Sequence, residues 1–144
     1  MTFNFQSFNN LDEVVAHFNS EKICKDYLEQ IRWAEEIKCV YQGCGHDKVY
    51  RYDNERTFKC SGCNRQFNVR TGTIFHKSKI PLTTWFAAMY LISLQQKSTS
   101  ITKLSEDIGV SMKTAYAMNR AIRIQFGMYV RKKIPGRKRT IRKI

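Results

Sequence analysis

Acidic side chains all but vanish after residue 60. Of the 12 Asp and Glu in the 144-residue chain, only Glu106 and Asp107 lie beyond that point, against 17 Lys and Arg. Residues 1–60 are close to balanced, with 8 cationic and 10 acidic side chains, so the net charge of +13 belongs to residues 61–144. An excess confined to one part of a chain suits a polyanionic partner better than a merely solvated surface. Proline is scarce too: there are two, alongside 42% hydrophobic residues, a composition that excludes global disorder. No apolar run approaches the roughly 18–20 residues of a membrane span. The longest, "WFAAMYLISL" at 85–94, stops at ten. The opening "MTFNFQSFNN" has no cationic start and no apolar stretch, so it does not read as a secretory signal. The expectation is a cytoplasmic protein in a reducing compartment, where cysteines serve as metal ligands more often than as disulfides.

Neither an internal repeat nor a low-complexity linker divides the chain, yet its pattern changes three times. The expected class is α+β, with a small β module between helical segments. Residues 1–36 read as helical. Leu11, Val14, Val15 and Phe18 have helical spacing, Ser20 is placed to cap a second helix, and Ile23, Cys24, Tyr27, Leu28 and Ile31 share a face. Cys24 lies on that apolar stripe and reads as a small buried hydrophobe. Trp33 is placed to close this core against the next module. Across residues 37–76, short runs such as "KVYRY", "TFKC" and "QFNVRTGTIF" alternate with turn residues, which predicts strands, with a hairpin turn at 53–55. Residues 77–126 return to helical spacing. Pro81 suits the start of a helix running to about Gln95, with Leu82, Trp85, Phe86, Met89 and Ile92 as its inner face. Residues 127–144 form a basic tail, with eight cations in the last fourteen positions.

The β region holds Cys39, Cys44, Cys60 and Cys63, two pairs separated by fifteen residues. Zinc favours four tetrahedral ligands, and a tight turn between two cysteines lets both sulfurs converge on one ion. Gly43 and Gly62 each directly precede the second cysteine of a pair, where the chain must turn sharply. This predicts a zinc ribbon with Cys39, Cys44, Cys60 and Cys63 as ligands, His46 being an alternative to Cys44. A disulfide suits the wrong compartment, and a thioredoxin-like motif needs a βαβ context that is missing. Four protein ligands leave no open position, so the zinc is structural.

"SITKLSEDIGVSMKTAYAMNRAIRI" at 100–124 predicts a helix-turn-helix: one helix over 101–108, a break at Gly109, and a second helix capped by Ser111 and running from Met112 to about Phe126. Leu104, Ile108, Val110, Ala115, Met118 and Ile122 fill the angle between them, and Ser105 is small where they cross. Lys113, Tyr116, Ala117 and Arg120 share the outward face of the second helix, with Ser111, Met112 and Thr114 at its N-terminal end. These are the candidate DNA contacts, joined by Arg123 towards the backbone. Arg65, Arg70 and Lys59 on the ribbon, and Arg131, Lys132, Lys133, Arg137, Lys138 and Arg139 in the tail, are candidate phosphate contacts.

In their order and wording these parts resemble the N-terminal portion of bacterial insertion-sequence transposases that begin with a zinc ribbon, the ISXO type. The resemblance rests on "CKDYLEQIRW", on "FKCSGCNRQFNVRTGTIFHKSKIPLTTWFAAMYLISL" and on the helix-turn-helix, covering about residues 8–126. It implies recognition of an element's terminal inverted repeats in double-stranded DNA. It also implies a C-terminal RNase-H-like nuclease domain that cuts DNA with carboxylates and divalent metal. Two features depart from the pattern. The first cysteine pair has four intervening residues instead of two, and the carboxylates that two-metal chemistry needs are missing after residue 76 apart from Glu106 and Asp107. The expectation is therefore a nucleoid-associated DNA-binding chain without catalytic residues, with itself or a separate nuclease domain as further partners. Two rival readings remain. One is a stand-alone transcriptional regulator; the other is an RNA-binding ribbon whose Tyr50, Tyr52, Phe58 and Phe67 stack bases.

Overall fold

A computed structural model describes residues 2–44, 48–52, 57–94 and 100–128. The predicted turn at 53–55, His46, Gln95 and the tail cations Arg131, Lys132, Lys133, Arg137, Lys138 and Arg139 fall outside the described residues. Within them the fold is α+β. Helices α1 (Leu11–His17) and α2 (Glu21–Arg32) precede three short strands, β1 (Val49–Arg51), β2 (Phe58–Cys60) and β3 (Gln66–Phe67). Helices α3 (Leu82–Leu94), α4 (Ile101–Ile108) and α5 (Met112–Gln125) follow. The strands form an antiparallel sheet in the order β1-β2-β3.

Local chemistry accounts for most helix ends. The Asn10, Ser20, Ser100 and Ser111 side chains each accept a backbone N–H from the first turn of the helix they precede. α4 ends on Gly109 in the left-handed region (φ 69°, ψ 38°), a conformation that costs glycine little. α3 starts differently. Pro81 occupies its cap position, with its carbonyl accepting from the Trp85 N–H, and proline has no side-chain acceptor to offer. The Leu82 N–H is met instead by the Glu21 carboxylate of α2, 61 residues away in sequence. The other oxygen of Glu21 pairs with Arg70 Nη2 at 3.0 Å, while Arg70 Nη1 donates to the Ser78 carbonyl at 3.1 Å. One carboxylate thus ties α2, the loop after β3 and the head of α3 together.

α3 is the central helix, packed by α1, α2, α4 and α5. The expected inner face, Leu82, Trp85, Phe86, Met89 and Ile92, is buried, but so are Ala87, Ala88 and Tyr90. Burial nearly all round is what its unbroken apolar composition permits. On the first two helices the stripes are narrower than the spacing suggests. Val14, Phe18, Cys24 and Leu28 are buried, whereas Val15 and Ile23 lie exposed among the described residues. Burial drives the Cys24 thiol up to about 12, as suits a small apolar side chain. The first residues, which carry no periodic signal, also enter the core. Phe3 meets the rings of Phe75, Phe86 and Phe126 edge-on at 5.9 to 6.3 Å, and Phe5 meets Tyr90 at 6.1 Å.

The strand expected across "QFNVRTGTIF" ends after Phe67. Asn68 Oδ1 accepts from the Arg70 and Thr71 N–H groups and from the Thr71 hydroxyl, so a side chain takes the donors a sheet would need. Successive turns then carry Val69 and Phe75 into the helical core. A second, smaller core surrounds the cysteines and includes Phe58 and Phe67. Trp33 packs against both cores, its ring 5.6 Å from Phe58 and 6.0 Å from Phe67, which is the closing position expected for it. Arg32 adds a polar tie, donating to the carbonyls of Val69 (2.7 Å) and Thr71 (2.6 Å).

Glu21→Ala is expected to lower stability by about 2–3 kcal/mol, because it removes charge-assisted bonds and leaves a partly buried Arg70 unpaired. Glu29→Ala, which removes the partner of Arg51, itself 44% exposed, should cost less than about 1 kcal/mol. Denaturant unfolding of both variants checks the ranking; equal destabilisation would contradict the tie assigned to Glu21.

Candidate metal centre and nucleic-acid interface

The first cysteine pair lies in the loop between α2 and β1. Cys44 closes a turn by donating its N–H to the Tyr41 carbonyl at 3.2 Å, and Gly43 takes the positive φ of 81° that the turn requires. The second pair begins at the end of β2. Here the left-handed residue is Asn64 (φ 58°), just past Cys63, and Gly62 is not among the positive-φ residues. Asn64 donates its N–H to the Cys60 carbonyl at 3.0 Å, and the Cys60 N–H donates to the Arg65 carbonyl at 3.1 Å, which bends Cys63 back towards the strand end. Asparagine adopts this region more readily than other side chains do.

The two turns bring Cys39, Cys44, Cys60 and Cys63 together with all four sulfurs within 4.8 Å of one another. Cys39 Sγ lies 3.7 Å from Cys63 Sγ, and Cys44 Sγ lies 3.5 Å from Cys60 Sγ. A disulfide would need about 2.05 Å. A tetrahedron with Zn–S near 2.3 Å has edges of about 3.8 Å, so the cage is the size of a ZnS4 centre. Cys44 itself completes the set. The electrostatics also call for a cation. The Arg65 backbone N–H lowers the Cys63 thiol to about 6, while burial raises that of Cys39 to about 12. Four thiolates at this separation cannot coexist without a positive ion among them. The four sulfurs bind zinc, and with every tetrahedral position taken by protein the zinc is structural. Among the described residues no other group of three or more His, Cys, Asp or Glu side chains converges in this way.

Arg65 is exposed and lies beside this centre, its guanidinium 4.1 Å above the Tyr41 ring. Its hydrogen bond to Cys63 has no signal in the spacing of the cysteines. Arg70, expected on a phosphate, is turned inward instead: its guanidinium is occupied by Glu21 and the Ser78 carbonyl. Lys59 is partly exposed on β2.

The second candidate surface is α5. Its buried side, Ala115, Met118 and Ile122, packs with Leu104 and Ser105 of α4, and Ile108 and Val110 close the angle. The opposite side exposes Met112, Lys113, Tyr116, Ala117 and Arg120, with Ser111 just before the helix. The Ser111 and Thr114 hydroxyls lie 2.9 Å apart, and Ser111 also accepts the Thr114 N–H, so this pair fixes the helix start. Thr114 is partly buried. Arg123 is also partly buried and donates to Asn119 Oδ1 at 2.9 Å. Lys113, Thr114, Ala117 and Ala121 border a groove of about 460 Å³ whose other wall is Ser78, Ile80 and Trp85. That wall comes from α3 and the chain leading into it, and no local motif signals it.

Metal analysis of the purified chain should give one zinc per molecule. Cys60→Ser should abolish retention, and Cys24→Ala should leave it intact. Zinc binding displaces the thiol protons, so acidification should release the ion, checked by metal content across a pH series. Chelation should change the emission of Trp33 yet leave most of the helical circular dichroism, since no zinc ligand belongs to the core around α3.

Comparison with known proteins bears on the same region. Residues 19–66 match the family model described as the transposase zinc-ribbon domain. A protein of Halobacterium salinarum described as an uncharacterized protein in transposable element ISH50 is 39% identical over 105 residues. The match covers 71% of this chain, which spans about a third (34%) of that relative's length. No solved structure matches. No described helix is long and apolar enough to cross a membrane. The matched segment, with its four converging cysteines, is a zinc ribbon of the transposase type.

Proposed function

We propose that this chain binds double-stranded DNA sequence-specifically, as the part of an insertion-sequence transposase that recognises the element's ends. The observation that carries the reading is the exposed face of α5. Lys113, Tyr116 and Arg120 stand outward on the second helix of a helix-turn-helix whose N-terminal end, at Met112, is also open. In this reading α5 enters the major groove. Arg120 and Lys113 take base acceptors or phosphates, and Arg65 and Lys59 meet the backbone beside it. Arg70 contributes by holding the loop after β3 against α2. The tail cations at 131–143 neutralise further phosphates and raise affinity for any duplex. The expected locus is the nucleoid, and the expected targets are terminal inverted repeats.

In this reading the described residues bind and position DNA. Their one converging metal-ligand set is the four cysteines, and a closed zinc site holds no reactive water. Cutting and joining are assigned to a nuclease domain of the kind the resemblance implies.

Sites selected from random DNA, then footprinted, should fall at the terminal repeats of an insertion element; protection of a promoter instead would favour a transcriptional regulator. Arg120→Ala should weaken the selected site by about 1–3 kcal/mol and leave random DNA nearly unaffected. Equal weakening on both would make Arg120 a phosphate contact. Deleting residues 131–144 should flatten the salt dependence, by about 0.9 in logarithmic slope for each phosphate that the tail neutralises.

A further inference from the structure

The two faces of the ribbon sheet differ sharply. Phe58, Cys60 and Phe67 point into the zinc core at 0 to 3% exposure, which removes both phenylalanines as base-stacking candidates. On the other face the register sets Tyr50 opposite Lys59, and Lys59 opposite Gln66. Directly opposed residues share a face, and so do residues two apart on one strand. Tyr52 therefore joins the row, and Gln66 Nε2 donates to its hydroxyl at 3.1 Å. Tyr50 is 64% exposed and Tyr52 39%. Arg65, next to Gln66 in the chain, is exposed but turned to the metal side, its guanidinium 4.1 Å above the Tyr41 ring. The row itself carries a cation and no carboxylate.

We infer that this outer face binds an unpaired stretch of nucleic acid, with bases stacked on Tyr50 and Tyr52 and phosphates drawn to Lys59. A duplex keeps its base faces inside the stack, so open tyrosine rings find base partners only where a strand is unpaired. Side chains two apart on a strand stand about 7 Å from one another, enough for each ring to carry its own base. Because stacking needs only a π-face, this contact tolerates any sequence, in contrast to base reading by α5. The inference extends the DNA-binding reading: the ribbon holds single-stranded DNA next to the duplex that α5 grips.

The test uses the full, zinc-loaded chain, a blunt random-sequence duplex and the same duplex with a short thymidine overhang. The overhang should raise affinity. Tyr50→Ala combined with Tyr52→Ala should erase that gain, a drop of roughly tenfold or more, and leave blunt-duplex affinity and zinc content unchanged. The double phenylalanine variant should keep the gain, because the rings remain. Photo-crosslinking of an overhang carrying 5-iodouracil should map to Tyr50 or Tyr52. No gain from the overhang, a gain that survives the alanine pair, or crosslinks confined to α5 would overturn the inference. A chain that binds the overhang strand but no duplex would instead overturn the role given to α5 and leave the sheet assignment standing.

Discussion

Four sulfurs that repel one another as thiolates, and that only a shared cation can reconcile, are the constraint on which the ribbon depends. Its strands are two or three residues long, and its private core is little more than Phe58, Phe67 and the neighbours of the cysteines. A unit of that size cannot offset its chain entropy by apolar burial alone. Zinc binding, on the order of 10 kcal/mol in small metal domains, is large enough to do so. The ion thereby fixes the register of the sheet, and the register decides which residues face inward to the metal and which, like Tyr50 and Lys59, face out.

The ribbon is seated on the helical core by α2 and the residue that follows it. Trp33 belongs to both cores, Arg32 holds the carbonyls of the loop after β3, and Glu29 pairs with Arg51 across the exposed edge. The turns at 68–76 complete the junction by sending Val69 and Phe75 away from the sheet and into the core around α3. α3 is in turn held at its head by Glu21, because a proline at its cap position cannot serve itself. In the proposed reading such ties matter, because a helix and a sheet that act on one nucleic acid must keep their spacing.

What the sequence alone determined was the set of features built from near neighbours. The two cysteine pairs, the glycine break at 109, the Ser111 cap and the polar face of α5 all depend on groups a few residues apart, so spacing is enough to read them. The zinc ligands and the bounds of α4 and α5 were legible for that reason, as was the apolar character of Cys24. Tertiary structure alone decided the rest: the inward turn of Arg70, the cap on α3, the entry of Phe3 and Phe5 into the core, and the exposure of Val15 and Ile23. The partners in these cases are mostly distant. Arg70 and Glu21 are 49 residues apart, and Leu82 and Glu21 are 61. A cation in sequence is an unassigned charge until the fold supplies or withholds a carboxylate, and an apolar side chain is buried only where another element arrives to cover it.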